Sequence, residues 1–281
     1  MSLFHSIILG LVEGITEFLP ISSTFHLIFT AKLLAVPQTD FTKLFEVFIQ
    51  GGAILAVVFL YWQELLHDRI LMKKVLLAFL PTATIGFMLY KMIKEIFFEN
   101  QMLMLGSFIL VGIIFIVVEY FFVGDGLLAV PKSRLGGTTD KPGGLSLRNI
   151  TWYHALLIGL FQSFAVIPGV SRAGSVIVGM LLLGYSRSES AKFSFMLSIP
   201  TILAASAYDL YKMREVAFAN LNNINFLAVG FVVSFIFAII SVKWLIKFLQ
   251  THSLVPFGVY RLILALLILL LAFTPFTAFI K

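Results

Sequence analysis

Between Gly10 and His26 the chain reads GLVEGITEFLPISSTFH, and this apolar stretch gathers Glu13, Glu17, Ser22, Ser23, Thr24 and His26. Glu13 and Glu17 are four residues apart, so a helix sets both on one face, where like charges repel. Inside a membrane each ionised side chain costs about 2.5–3.5 kcal/mol on insertion scales, so such a pair calls for a compensating cation. Carboxylate oxygens are hard ligands, suited to Mg2+ or Ca2+. His26 is suited to general acid or base work or to nucleophilic attack, and the hydroxyls of Ser22, Ser23 and Thr24 supply donors or a nucleophile.

A second polar group interrupts apolar sequence at IPGVSR, residues 167–172. A helix that starts after Pro168 offers backbone N–H groups, that of Gly169 among them, and a positive dipole end that attracts anions. Ser171 adds a hydroxyl, and Arg172 a guanidinium whose fork matches phosphate oxygens. A hard metal, an anion-binding backbone, an arginine and a histidine together describe phosphoryl transfer better than any other reaction. Blander roles stay open for each residue taken singly. Ser22, Ser23 and Thr24 also fit helix caps, His26 a satisfied polar side chain, and Arg172 a structural anchor.

The elements that must position these groups follow from composition. Of 281 residues 60% are hydrophobic and 12% charged, with mean hydropathy +1.02. Soluble domains carry about 25% charged residues, so this chain reads as a polytopic all-α membrane protein. Six segments are long and apolar enough to span: 44–62, 75–93, 102–122, 191–211, 225–247 and 256–280. Met1–Gly10 lacks the basic n-region of a cleavable signal. Cysteine is absent, which excludes disulfides and thiolate metal sites. The net charge of +6 fits cytoplasmic loops rather than nucleic-acid binding.

Two further regions, 3–36 and 153–185, are apolar but broken at 19–24 and at 167–172. Each reads as a re-entrant helical hairpin, a form tolerated at membrane depth only where protein or a water-filled cavity surrounds the break. The two match at an offset of 149 residues: Gly10 falls on Gly159, Leu11 on Leu160, Glu13 on Gln162 and Ser22 on Ser171. The polar stretch 123–151 then links two halves, 1–122 and 152–281, of a single membrane domain. Placing 63–74 in the cytoplasm puts more lysine and arginine on that side than on the other, as the positive-inside rule requires. The halves are then inverted, and their breaks are expected to meet near the midplane, as in many transporters. Glu46 and Gln50 share a helix face and either extend the polar site or pair with it, while Tyr260-Arg261 reads as a juxtamembrane group that snorkels to headgroups.

These residues resemble those of the undecaprenyl-diphosphate phosphatases of the bacitracin-resistance type. EGITEFLPISSTFH (13–26) resembles the family's E-x-x-x-E-F-L-P-(V/I)-S-S-T-G-H signature, and PGVSRAGSV (168–176) its P-G-x-S-R-S-G-x-T signature. FEVFIQGGAILAVV (45–58), the tract from Lys192 to Pro200, and Pro256-Phe257 with Tyr260-Arg261 also look familial, so the resemblance covers essentially the whole chain.

The resemblance implies a hydrolase that removes the terminal phosphate of the C55 lipid diphosphate, recycling undecaprenyl phosphate for peptidoglycan and other envelope polymers. It implies that Glu13 and Glu17 are the essential acidic pair, His26 the essential histidine, Ser23 a proposed nucleophile, and Ser171 and Arg172 phosphate-binding residues. It further implies a divalent cation, inverted re-entrant halves in the bacterial inner membrane, a site open to the periplasm, and a homodimer. Three positions depart from the pattern: Phe25 stands where the family has Gly and crowds His26, Ala173 replaces a serine, and Val176 a threonine. A phosphate of the lipid would sit against Ser22, Thr24, Gly169 and Ser171. Sequence leaves Ser23, His26 and water open as the attacking group. The rival reading is a lipid-phosphate flippase, since broken inverted repeats are common in transport.

Overall fold

The computed structural model describes residues 1–89, 100–123 and 144–272. Among them regular structure is helical, apart from one isolated bridge between Leu145 and Tyr185. Among the described residues five helices are long and apolar enough to cross a membrane: Asp40–Leu60, Arg69–Met88, Gln101–Val123, Arg187–Lys212 and Leu221–Thr251. Six were expected from the sequence, and these five answer to the first five of them. The segment expected at 256–280 is helical over Val255–Ala272, and the rest of it lies outside the described residues, as do the end of the 75–93 segment and residues 124–143 of the linker.

Helix starts are set by polar caps, which satisfy N–H groups that no preceding turn can. Thr39 Oγ1 accepts from Thr42 N at 3.2 Å, Asn100 Oδ1 from Leu103 N at 2.9 Å, and Thr151 Oγ1 from His154 N at 3.0 Å. The two broken regions form helix pairs. Leu3–Thr16 packs on Ser23–Leu33, and Trp152–Ser163, extended by the 3-10 turn Phe164–Val166, packs on Arg172–Leu182. Leu3 and Trp152 lie 149 residues apart, as do Ser23 and Arg172, and Leu33 and Leu182, so the offset read from sequence recurs in the element boundaries.

The chain forms two compact units, Met1–Arg69 with Phe195–Leu245, and Ile70–Ser194 with Ile246–Lys281. Each draws on both halves of the sequence. In the first unit the hairpin packs against Leu221–Thr251 through small residues, which let backbones approach closely where lipid offers no hydrophobic drive for helix pairing. A Cβ on Gly10 would lie 2.6 Å from Gly230 O, and one on Gly14 2.5 Å from Ser234 O. Ser241 Oγ donates to Ile15 O at 2.7 Å along the same seam. Around it Leu9, Leu27, Leu44, Phe45, Ile49 and Leu227 make one buried cluster.

Even a methyl is too large at this crossing. Gly10→Ala is expected to cost about 1–3 kcal/mol by overpacking, read as a lowered thermal midpoint of the purified protein. An unchanged midpoint would contradict the close crossing.

The second unit repeats the device with different residues. Gly159 lies against the backbone of Ala78 and the ring of Pro81. Thr82 Oγ1 donates to Gly159 O at 3.0 Å and accepts from Gln162 Nε2 at 2.9 Å. Gln162, the offset equivalent of Glu13, is thus tied into a neutral helix contact. At one end of this unit Arg187 grips Glu119 with two nitrogens, Nε at 2.8 Å and Nη2 at 2.6 Å, and Leu254 N donates to Glu119 Oε1 at 2.7 Å. One carboxylate therefore ties together the starts of Arg187–Lys212 and Val255–Ala272 at the π-helical turn Glu119–Val123. Tyr185 is held beside His154, its hydroxyl 2.7 Å from Nδ1, and burial pushes its ionisation up to about 12, so the phenol stays neutral.

Candidate active site

Glu13 lies near the end of Leu3–Thr16, fully buried, and Glu17 follows as the residue that closes that helix. Leu19-Pro20 ends the helical run, since proline disfavours helix in the residue before it. Phe18 is anchored edge-on against Phe195, ring centroids 5.2 Å apart, which fixes where the break begins. The chain then turns back so that Ser23, first residue of the next helix, donates its hydroxyl proton to Glu17 Oε2 at 2.5 Å. Both side chains are buried. A hydroxyl bonded to a carboxylate at this distance away from bulk water is a charge-assisted pair, stronger than a neutral hydrogen bond.

His26 sits one turn further on. Its Nδ1 is 2.8 Å from Ser22 O. A carbonyl only accepts, so Nδ1 carries the proton, and in the neutral ring the lone pair is at Nε2. Ser22 itself has φ 68, ψ 91, a region that costs a non-glycine residue about 1–3 kcal/mol. It occupies the N-cap position, yet its side chain makes no capping bond. The cap reading of Ser22 and Ser23 therefore gives way: the first is a strained corner, and the second is bonded to Glu17. Thr24 is partly buried in the first turn of the same helix. Phe25 is buried, its ring edge-on to the His26 ring with centroids 5.9 Å apart.

The second break has the same corner. Ser171 has φ 76, ψ 117 at the residue before Arg172–Leu182, but here the side chain does cap, accepting from Gly174 N at 3.2 Å. Gly169 has φ +90, where a side chain would be strained, and a Cβ there would strike Met104 and Ser107. Arg172 opens the helix at its positive dipole end. Ala173 and Val176, which lack the family's hydroxyls, are buried.

Two groups, Ser107 and Glu119, escaped the sequence reading, and a third, Arg261, is placed differently from the snorkelling expected of it. Arg261 is fully buried and does not snorkel: Nε donates to Phe108 O at 2.9 Å, Nη1 to Val170 O at 3.4 Å, and Nη2 to Gly169 O. Its guanidinium lies over the Phe108 ring at 4.4 Å. Ser107 donates to Pro168 O, and Glu119 holds Arg187 and Leu254. The place of Arg261 beside Tyr260, in the familial tract that begins at Pro256-Phe257, was the signal that marked it. Glu46 is placed with Gln38, whose Nε2 donates to it at 3.4 Å.

The donor set bears on a metal. Among the described residues no three His, Cys, Asp or Glu side chains converge. Two buried carboxylates on adjacent turns, with a hydroxyl beside them, fit an ion that completes its shell with water and substrate phosphate, as Mg2+ does. They fit a protein-built Ca2+ cage less well.

The fold and site together define a multi-pass helical membrane protein whose polar groups gather at two strained helix breaks. A family model described as "Bacitracin resistance protein BacA" matches residues 6–267, and the chain belongs to that family. It is 46% identical over 267 residues to the undecaprenyl-diphosphatase of Sulfurihydrogenibium sp. (strain YO3AOP1), covering 95% of this chain and 98% of the relative. It is 45% identical over 278 residues to that of Persephonella marina (strain DSM 14350 / EX-H1), covering 96% and 99%. It is also 45% identical over 271 residues to that of Aquifex aeolicus (strain VF5), covering 95% and 97%.

Proposed function

We propose that this protein is a membrane hydrolase that converts undecaprenyl diphosphate to undecaprenyl phosphate and inorganic phosphate, recycling the lipid carrier for envelope polymers and conferring bacitracin resistance. Similarity to undecaprenyl-diphosphatases over nearly the full chain supports the substrate. The observation that carries the chemistry is the buried Ser23–Glu17 contact at 2.5 Å.

Glu17 takes the Ser23 proton as Oγ attacks the terminal phosphorus, and the bond from phosphorus to the bridging oxygen breaks. Undecaprenyl phosphate leaves with that bond's electron pair, and the proton passes from Glu17 to it. Water then attacks the phosphoseryl group with Glu17 again as base, and the proton returns to Ser23 Oγ as phosphate departs. His26, with Nδ1 held by the Ser22 carbonyl, presents Nε2 as the group that exchanges a proton with phosphate oxygen. Arg172 and the N–H groups of the second break, with Ser171, bind phosphate oxygens of the headgroup.

Glu13 and Glu17 would hold a divalent ion of the Mg2+ type, which when bound offsets the negative charge of the diphosphate. Glu17 Oε2 receives the Ser23 hydroxyl. In this reading the helix breaks are re-entrant, and the site opens to the periplasmic side of the bacterial cytoplasmic membrane. The basic-residue bias of the loops supports that orientation.

Phosphate release from undecaprenyl diphosphate in detergent tests the reading, because no second compartment exists there. Release that stops on chelation and returns with Mg2+ is expected. Headgroup binding without any release would replace hydrolysis with transport.

A further inference from the structure

Arg261 lies outside both signature motifs, yet it is buried at the second break. In a trans peptide the C=O of one residue and the N–H of the next point in opposite directions, and none of the described peptides is cis. Three successive carbonyls of the break are held on one side: Pro168 O by Ser107 Oγ, and Gly169 O and Val170 O by the Arg261 guanidinium. The N–H groups of Gly169 and Ser171 must then face the other way, while Val170 N closes a turn onto Ile167 O at 3.2 Å. Arg261 is itself fixed by Phe108 O at 2.9 Å and by the Phe108 and Phe115 rings at 4.4 and 5.6 Å.

The guanidinium fork is the one side chain that reaches carbonyls on two elements with separate, coplanar donors. A lysine ammonium cannot keep Phe108 O and Gly169 O in the same geometry. The break also has no helix or sheet ladder to define it between Val166 and Arg172, so its shape depends on these bonds.

We propose that Arg261 is a positioning residue for phosphate: it holds the carbonyls of Gly169 and Val170 so that the N–H groups of Gly169 and Ser171 form a preset cradle for a phosphate dianion. The idea rests on the hydrolase reading for its biological substrate, but its test does not need turnover.

Inorganic phosphate is titrated by calorimetry into detergent-purified wild type, Arg261→Lys and Arg261→Met, each checked for thermal midpoint and monodispersity. The lysine variant is expected to bind phosphate at least tenfold more weakly, the methionine variant more weakly still. Both should lose kcat/KM for the lipid diphosphate by a similar factor. A purely structural arginine would lower the midpoint and leave phosphate affinity per folded molecule unchanged, and that result overturns the proposal. If neither variant is recovered folded, Ser107→Ala decides: a threefold or greater loss of phosphate affinity supports the cradle, and no loss overturns it. Should wild type release no phosphate from the lipid, the hydrolase reading falls, while the phosphate affinities still decide the cradle.

Discussion

Glu17→Gln is expected to cut phosphate release by about 10²–10⁴-fold, the range for losing a positioned general base, while leaving the protein folded. The glutamine amide has the size of the carboxylate, and its oxygen still accepts the Ser23 hydroxyl, so the 2.5 Å contact that closes the first break survives in weaker form. What is lost is the ability to take the proton and the charge shared with Glu13. Removing one of two buried carboxylates also relieves their repulsion, so the thermal midpoint should hold or rise. Turnover within about threefold of wild type would show that Glu17 is neither base nor ligand, since general bases contribute at least about 10².

Ser23→Ala is expected to have the other large effect. If Oγ is the attacking atom, release falls to the background left by binding and electrostatics, a loss on the order of 10⁴-fold or more. The same change strips a buried carboxylate of a donor, at a cost of about 1–3 kcal/mol, so activity must be scaled to folded protein. His26→Ala is the informative comparison. The backbone bond from residue 26 to Ser22 O at 3.3 Å remains, so the corner should persist. A larger loss in His26→Ala than in Ser23→Ala would move the attack to the imidazole.

The sequence carried the helix breaks, because Pro20, Pro168 and Gly169 within apolar runs leave few other backbone solutions. It also carried the 149-residue offset, through a handful of identities such as Gly10 with Gly159. What it hid depended on distances. Gly10 and Gly14 could be seen as a small-residue stripe, but not that Leu221–Thr251, more than two hundred residues on, supplies the facing backbone. Arg261 was read as snorkelling because an arginine five residues past Pro256 suits either fate; only the carbonyls of Phe108 and Gly169 decide between them. Ser22 fits a cap by residue type alone, whereas the structure gives it a positive φ and no capping bond.

The central claim is that the buried Ser23–Glu17 pair of the first hairpin cleaves a lipid diphosphate. The direct measurement follows inorganic phosphate and undecaprenyl phosphate formed from undecaprenyl diphosphate by purified wild type and Glu17→Gln, side by side in detergent with Mg2+. One phosphate and one undecaprenyl phosphate for each diphosphate consumed by wild type, with a rate at least a hundredfold lower for Glu17→Gln, is the predicted result. Equal rates from the two proteins, or wild type that binds the lipid and releases no phosphate, would contradict it.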